Sequence, residues 1–213
     1  MNMLELAAKG WTLIDGITSK EDLLQLGRTL GSPVRTPNGE LVKEIRKLPA
    51  KEAPPGSQSA KYGSGPFPLH TDTVFWPTPI RYVVLRGYGD TRRPTTVMPF
   101  HDMIADCGPR VRVHLQEAVF LVTAGRIRFY CSLQFHCGDF AGWRYDADLM
   151  TPVNPAAIDA HNVLRELVTR EDVHPIHWSG HHAAVFMNWS TLHGRGKQPI
   201  DEGVRVIERL YVR

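Results

Sequence analysis

Short apolar runs separated by turn-forming residues restrict most strongly how this chain can fold. The runs WTLID (11–15), RYVVLRGYG (81–89), HHAAVFMNW (181–189) and VRVIERLYVR (204–213) have the length and the β-branched and aromatic content of strands. Further strand-like runs follow one another between residues 118 and 146. Because such runs outnumber the helical patterns, the sequence predicts a mainly β (α+β) protein, a sandwich or barrel with helices packed on one side.

Two segments have the pattern of longer helices. In residues 18–31 the apolar residues recur at helical spacing, and Thr18 and Glu21 are spaced as in a capping box. Residues 154–172 begin with Asn154, a good N-cap residue. The sequence therefore predicts one helix after the first strand and a second before the last two strands.

The length of 213 residues fits one domain, which we expect to span residues 1–213. Residues 99–107 and 109–118 are expected to form short helices. The Pro-, Gly- and Ser-rich segment 49–66 is predicted to be a loop.

Composition excludes several classes of function. The net charge of +3 is spread along the chain, and no basic stripe with interleaved aromatic residues suggests a nucleic-acid partner. No apolar run approaches the roughly 20 residues that a membrane span needs, and the N-terminus lacks the pattern of a signal peptide. An odd count of three cysteines without a CxxC motif favours reduced thiols, so we expect a cytoplasmic protein. The sequence indicates no oligomeric state.

The segment PFPLHTDTVFWPTP (66–79) places His70 and Asp72 one residue apart in an apolar run bounded by prolines. In a strand, alternate residues face the same side, so the two side chains are predicted to point together. A buried carboxylate is costly unless it is paired. The two residues therefore pair with each other or a neighbour, or they bind a metal. Chance gives about one such pair in a chain of this composition, so the pair alone favours a structural role.

Residues further along the chain favour the metal. His193, in NWSTLHGR, is expected at the polar end of the apolar strand 185–195. Two histidines and a carboxylate from different strands form the facial triad of non-heme Fe(II) oxygenases, which leaves metal positions open. Arg205 and Arg209 lie four residues apart in the last run, so both face one side of a strand and could bind a carboxylate. Alternatively they are surface partners of Glu208.

The order of these motifs resembles the taurine dioxygenase-like branch of the Fe(II)/2-oxoglutarate-dependent oxygenases. GWTLIDGITSKEDLLQLGRTLGSP resembles the opening strand and helix of that family, and PLHTDTVFWPTP resembles its metal-binding strand. RPTTVMPF resembles the strand that follows, and NWSTLHGR and RVIERLYV resemble the closing motifs. The resemblance extends over almost the whole chain. It implies a double-stranded β-helix, or jelly roll, with flanking helices.

The resemblance also implies roles for individual residues. His70, Asp72 and His193 would hold Fe(II). Thr96 would hydrogen-bond the distal carboxylate of 2-oxoglutarate, and Arg205 would form a salt bridge with it. No catalytic residue is expected beyond the metal ligands. An aspartate as the carboxylate ligand argues against the halogenating relatives, which have a small residue there.

The implied substrate is a small molecule, and Arg209 would contact an anionic group on it. Phe75, three residues after Asp72, is the apolar residue expected to touch it. The implied reaction uses O2 and converts 2-oxoglutarate to succinate and CO2. It oxidises, and in the simplest case hydroxylates, an unactivated C–H bond of a carboxylate- or amino-acid-like molecule.

Two alternative functions accompany this hypothesis. A cupin-type dioxygenase or isomerase would use the same metal ligands without 2-oxoglutarate. A binding barrel would keep the site without catalysis. The segment HPIHWSGHH (174–182) is a candidate second metal site, although histidines near a turn are more often solvated or capping.

Overall fold

The computed structural model describes residues 3–36, 38–46, 53, 58–63, 65–88, 91–197 and 206–213. The helices in this part of the chain are α1 (Met3–Lys9), α2 (Lys20–Leu30), α3 (Gln58–Tyr62), α4 (Phe100–Met103), α5 (Pro109–Glu117) and α6 (Pro155–Leu167). The strands are β1 (Trp11–Asp15), β2 (Pro33–Val34), β3 (Val42–Arg46), β4 (Phe67–His70), β5 (Tyr82–Tyr88), β6 (Thr95–Pro99), β7 (Val119–Ala124), β8 (Ile127–Ser132), β9 (Gln134–Cys137), β10 (Phe140–Trp143), β11 (Met150–Pro152), β12 (His174–Ile176), β13 (His182–Met187), β14 (Thr191–Arg195) and β15 (Val206–Val212).

Two antiparallel sheets form the centre of the described structure. The larger is six-stranded, with the order β1-β13-β5-β15-β2 and with β3 also paired to β15. The smaller has the order β12-β6-β14-β4. Val83 and Phe186 of the larger sheet share one buried cluster with Val97 and Ile176 of the smaller sheet. The two sheets therefore face each other across an apolar core, as in sandwich architectures.

Helices and short strands cover the outer faces. Leu6 of α1 and Leu23 of α2 pack on the larger sheet, whose outward residues Val84 and Leu210 belong to the same cluster. Behind the smaller sheet, Met98 joins a second cluster formed with helices α4 to α6 and the three-stranded sheet β11-β7-β8. None of the helices in the described ranges is long and apolar enough to cross a membrane.

Much of the predicted secondary structure is confirmed. The mainly β character is present, and strands occupy each of the four runs at 11–15, 81–89, 181–189 and 204–213. Asn154 caps α6 by accepting a 2.9 Å hydrogen bond from the backbone N–H of Ala157.

The predicted start of α2 is wrong by one residue. Ser19, not Thr18, is the N-cap, and its hydroxyl accepts a hydrogen bond from the backbone N–H of Asp22. The Asp22 carboxylate in turn accepts from the backbone N–H of Ser19 at 2.9 Å. The capping box therefore uses Asp22 in place of Glu21, because a short carboxylate at the third helical position reaches the cap as well as a longer one does.

Two further predictions are corrected. The segment 49–66 contains the short helix α3 within its described part, so it is not wholly a loop. Strand β4 ends at His70, and Asp72 lies in the turn that follows, where Thr73 has φ +54°. The strand alternation used to orient Asp72 therefore does not apply.

The close packing of α2 on β15 can be tested at Gly27. A Cβ there would overlap Leu210 Cδ2 and lie 3.3 Å from Val212 Cγ2. We predict that Gly27→Ala lowers the free energy of unfolding by about 1–2 kcal/mol, because overpacking outweighs the gain in helix propensity. Gln25→Ala, on the exposed face of α2, is the control and should change it by less than about 0.5 kcal/mol. Stabilisation by Gly27→Ala in urea denaturation would contradict this packing.

Candidate metal centre

Strand pairing in the smaller sheet brings two histidines together. His193 lies on β14 and is directly opposite His70, the last residue of β4. Their ring centroids are 4.8 Å apart. The prediction that His193 ends the preceding apolar strand is wrong, because β13 ends at Met187 and a turn separates it from β14. That turn moves His193 from the larger sheet into the smaller one.

Asp72 completes a group of three possible metal ligands. Its Oδ2 lies 3.4 Å from His193 Nε2, and its Oδ1 lies 3.9 Å from His70 Nε2. One ligand atom from each residue lies within 4.8 Å of the others. Neighbouring ligands of an ion bound at about 2 Å are about 3 Å apart, so a small contraction of this group would hold a metal.

Hydrogen bonds fix the orientation of two of these residues. His70 Nδ1 donates to the carbonyl oxygen of Pro68 at 3.0 Å, which leaves Nε2 as the ligand atom facing Asp72. The backbone N–H of Asp72 donates to Asn188 Oδ1, and the Asn188 amide donates to the carbonyl oxygens of Asp72 and Ile80. The buried Asn188 therefore holds the turn that carries the carboxylate.

The local electrostatics put His70 and Asp72 in metal-binding protonation states. Burial, together with the neighbouring His193, lowers the pKa of His70 to about 4, so its imidazole is neutral at pH 7. Burial acts to raise the pKa of Asp72, but the Arg209 guanidinium and the two histidines outweigh it and hold that pKa well below its ordinary value. The site thus offers a neutral imidazole and a carboxylate at neutral pH.

Arg209 reaches the centre from the opposite sheet. Its Nη1 donates to both carboxylate oxygens of Asp72, at 3.1 and 3.2 Å. Its guanidinium also lies over the Tyr211 ring, 4.6 Å from the centroid. Glu208, the alternative partner predicted for Arg209, lies on the other face of β15. It accepts a 2.8 Å hydrogen bond from Arg86 of β5. Arg209 is therefore an interior residue of the site and not part of a surface ion pair.

A cavity of about 640 Å³ opens beside the three ligands. Its lining includes all three of them, and it also includes Phe75 and Arg209, the two residues predicted to contact substrate. The three possible ligands therefore lie in the wall of a space large enough for a small molecule.

Of the two residues predicted to bind 2-oxoglutarate, one lies outside the described residues and the other does not line the cavity. Arg205 lies outside the described residues. Thr96 is directly opposite Gly194, and its Oγ1 lies 3.0 Å from where a Gly194 Cβ would be. His193 is opposite Val97, so Thr96 is on the other face of the sheet from His193. Thr95, on the same face as His193, lines the cavity.

Sequence reasoning missed Asp146, which also lines the cavity. The residue is only 4% exposed, and burial raises its pKa to about 6. Its Oδ1 accepts hydrogen bonds from the backbone N–H groups of Asp148 and Leu149, which follow β10 in the chain. A buried carboxyl with a raised pKa beside a cavity is typical of functional sites. The strand-like run around it gave no signal that could have found it.

The candidate second metal site is not assembled. In the described ranges, only the group at His70 brings three possible ligands together. His182 stacks on Trp178 and hydrogen-bonds Ser179 through Nδ1, and His174 packs against Trp11.

Comparisons with known proteins identify the fold. No protein-family model matches the chain, and no curated protein sequence matches it. A solved asparagine oxygenase, in complex with Fe(II), 2S,3S-3-hydroxyasparagine and succinate, is similar with a TM-score of 0.76 and 17% identity. The match covers 96% of this chain and 74% of that one.

Two further structures are similar over the same extent. The non-heme iron oxygenase OrfP, in complex with Fe, succinate and (3S)-hydroxy-L-Arg, has a TM-score of 0.75 and 19% identity over 99% of this chain and 77% of that one. PvcB from Pseudomonas aeruginosa has a TM-score of 0.71 and 16% identity over 98% and 77%. At these identities the likeness shows that this chain has the fold of non-heme iron oxygenases.

The cost of keeping Asp146 ionised can be measured. Its raised pKa means that the folded protein holds this proton more tightly than the unfolded chain, so stability falls as pH rises from about 4 to 6. We predict that Asp146→Asn, which removes the charge but keeps an oxygen acceptor, raises the free energy of unfolding at pH 7 by roughly 1–3 kcal/mol. The gain should shrink towards pH 4 in denaturant titrations.

Asp139→Asn is the control, because that residue is exposed. It should shift stability by less than about 0.5 kcal/mol at both pH values. Equal effects of Asp146→Asn at pH 4 and pH 7 would contradict the raised pKa.

Proposed function

We propose that this protein is an Fe(II)/2-oxoglutarate-dependent oxygenase in which His70, Asp72 and His193 hold the iron. The observation that carries the proposal is the convergence of this donor set at the wall of a cavity. Two imidazoles and one carboxylate suit Fe(II) and would leave coordination positions open for other ligands. The fold shared with iron oxygenase structures supports it.

We also infer the finer architecture. The facing sheets, both antiparallel, would form the two halves of a double-stranded β-helix, with α1 and α2 flanking the larger sheet. Residues 1–213 would form a single domain, because one apolar core joins both sheets.

When bound, the iron would supply the oxidising chemistry, with 2-oxoglutarate and O2 as co-substrates. The residues of this chain would position those molecules. Pro68 fixes the ligand nitrogen of His70, and Asn188 fixes the turn of Asp72. The apolar side chains of Phe75, Leu85 and Ile207 line the same cavity and would exclude water from the reacting C–H bond.

We propose Thr95, in place of Thr96, as the hydroxyl that donates to the distal carboxylate of 2-oxoglutarate. Thr95 lies on the same face of the smaller sheet as His193. It is two residues before Val97, which is directly opposite His193. Arg195, directly opposite Thr95, also lines the cavity, and its guanidinium donates to the carbonyl oxygens of Gly63 and Gly65. Arg205 remains the predicted salt-bridge partner of the co-substrate.

The charges of the cavity favour an amino-acid-like substrate. Arg209 presents a guanidinium for a carboxylate, and Asp146 presents a carboxylate for an ammonium group. Hydroxylated asparagine and arginine are in the complexes of the two similar oxygenases. Hydroxylation of a small amino-acid-like molecule, with formation of succinate and CO2, is therefore the function we propose.

The direct test is succinate formation from 2-oxoglutarate with Fe(II), ascorbate and O2, using the common amino acids as substrates. We expect at least one amino acid to stimulate succinate formation, and Asp72→Ala to abolish it because one ligand is lost. A metalloenzyme of the cupin type would turn over without 2-oxoglutarate. Activity without 2-oxoglutarate, or no succinate with any amino acid, would contradict the proposal.

Thr95 and Thr96 form a matched pair of variants. We predict that Thr95→Val raises the Kd of 2-oxoglutarate about ten-fold or more, because a hydrogen bond to a charged group contributes about 1.5–3 kcal/mol. Thr96→Val should leave that Kd unchanged, since this side chain faces away from the cavity. Anaerobic calorimetric titration of the Fe(II) protein measures both constants. A larger effect of Thr96→Val would contradict the strand register.

A further inference from the structure

A second cation lies beside Arg209 in the cavity. Lys43 on β3 is directly opposite Arg209 on β15, and both line the cavity. Directly opposite residues on neighbouring strands have Cβ atoms about 5 Å apart and point to the same face. Ile45 and Ile207 form the pair two residues away on the same face of the sheet, and both belong to the core between the sheets. Lys43 and Arg209 therefore lie on the inner face.

Lys43 has no anionic partner in the described part of the chain that could account for its position. The adjacent Glu44 is engaged elsewhere, by Arg46 and by the hydroxyl of Tyr88. Like charges directly opposite each other on a sheet are destabilising. Such a pair is favourable when an anion binds between the two cations.

The carboxylates of the cavity do not satisfy both cations. Asp72 accepts from Arg209 through Nη1 alone, and under the proposed function it also holds the iron. Lys43 adds a second positive charge to the cavity wall that carries Arg209.

We propose that Lys43 and Arg209 form a joint binding site for two anionic groups of one substrate. The substrate class is then an amino acid, or an amino-acid-like molecule, that bears a second acidic group, either a carboxylate or a phosphate. Arg209 binds the first acidic group and Lys43 the second. This inference rests on the proposed function and adds Lys43 as the residue that determines specificity for an acidic substrate.

Binding titrations test the inference separately from catalysis. The probes are L-aspartate, L-glutamate and O-phospho-L-serine, each compared with its neutral counterpart L-asparagine, L-glutamine or L-serine. They are titrated calorimetrically, without O2, into the full chain loaded with Fe(II) and 2-oxoglutarate. We expect at least one acid to bind ten-fold or more tightly than its neutral counterpart. The carboxylate and phosphate probes identify which second acid the site accepts.

Variants assign the preference to Lys43. Lys43→Met should weaken binding of the preferred acid about ten-fold and leave the neutral counterpart unchanged, because one charge-assisted hydrogen bond is lost. Lys20→Met is the matched control, since Lys20 is exposed on α2, over the opposite face of β15. It should leave both affinities unchanged. Lys43→Gln repeats the test if the methionine variant does not fold.

The outcomes are distinguishable. Equal affinities for acids and neutral counterparts, no binding of any probe, or a preference that survives Lys43→Met would each overturn the inference. Selective binding of an acid without succinate formation would support the joint site and contradict the oxygenase function. Succinate formation with neutral amino acids alone would support the function and overturn the inference.

Discussion

The pairing of β4 with β14 is the constraint on which the rest of the site depends. It places His70 directly opposite His193, so two imidazoles from distant parts of the chain share one face of one sheet. Asn188 precedes β14 and bonds the backbone of Asp72 on both sides of the residue. The pairing of β4 with β14 and the adjacent Asn188 therefore position all three candidate ligands. A shift of one residue in this pairing would turn one imidazole to the opposite face.

The buried carboxylate of Asp72 connects the two sheets electrostatically. A carboxylate that is 7% exposed would be costly alone, and Arg209 from the larger sheet compensates it. The chain therefore keeps an ionised carboxylate inside a largely apolar core. Lys43 and Asp146 are among the other charged residues that line the cavity. Under the proposed function, the charged lining suits a polar, charged small molecule.

Sequence reasoning identified the types of residue in this site better than their exact positions. His70, Asp72 and His193 could be predicted as one group because a candidate ligand set is defined by residue type and order, which the sequence shows directly, and the structure brings the three side chains together. Which of two adjacent threonines faces the cavity depends on strand register, because successive residues of a strand alternate between its faces. Lys43 and Asp146 carry no local motif, and only the folded chain brings them to the cavity. The strand runs were predictable from composition, whereas the turn that moves His193 into the other sheet was not.

The central claim is that three side chains hold one ferrous ion with positions left open for 2-oxoglutarate. The measurement that tests it most directly is an anaerobic titration of the protein with Fe(II) in the presence of 2-oxoglutarate, followed by visible absorption. We expect a metal-to-ligand charge-transfer band that saturates at one iron per chain and is lost in His193→Ala. Absence of the band, or an unchanged band in that variant, would contradict it.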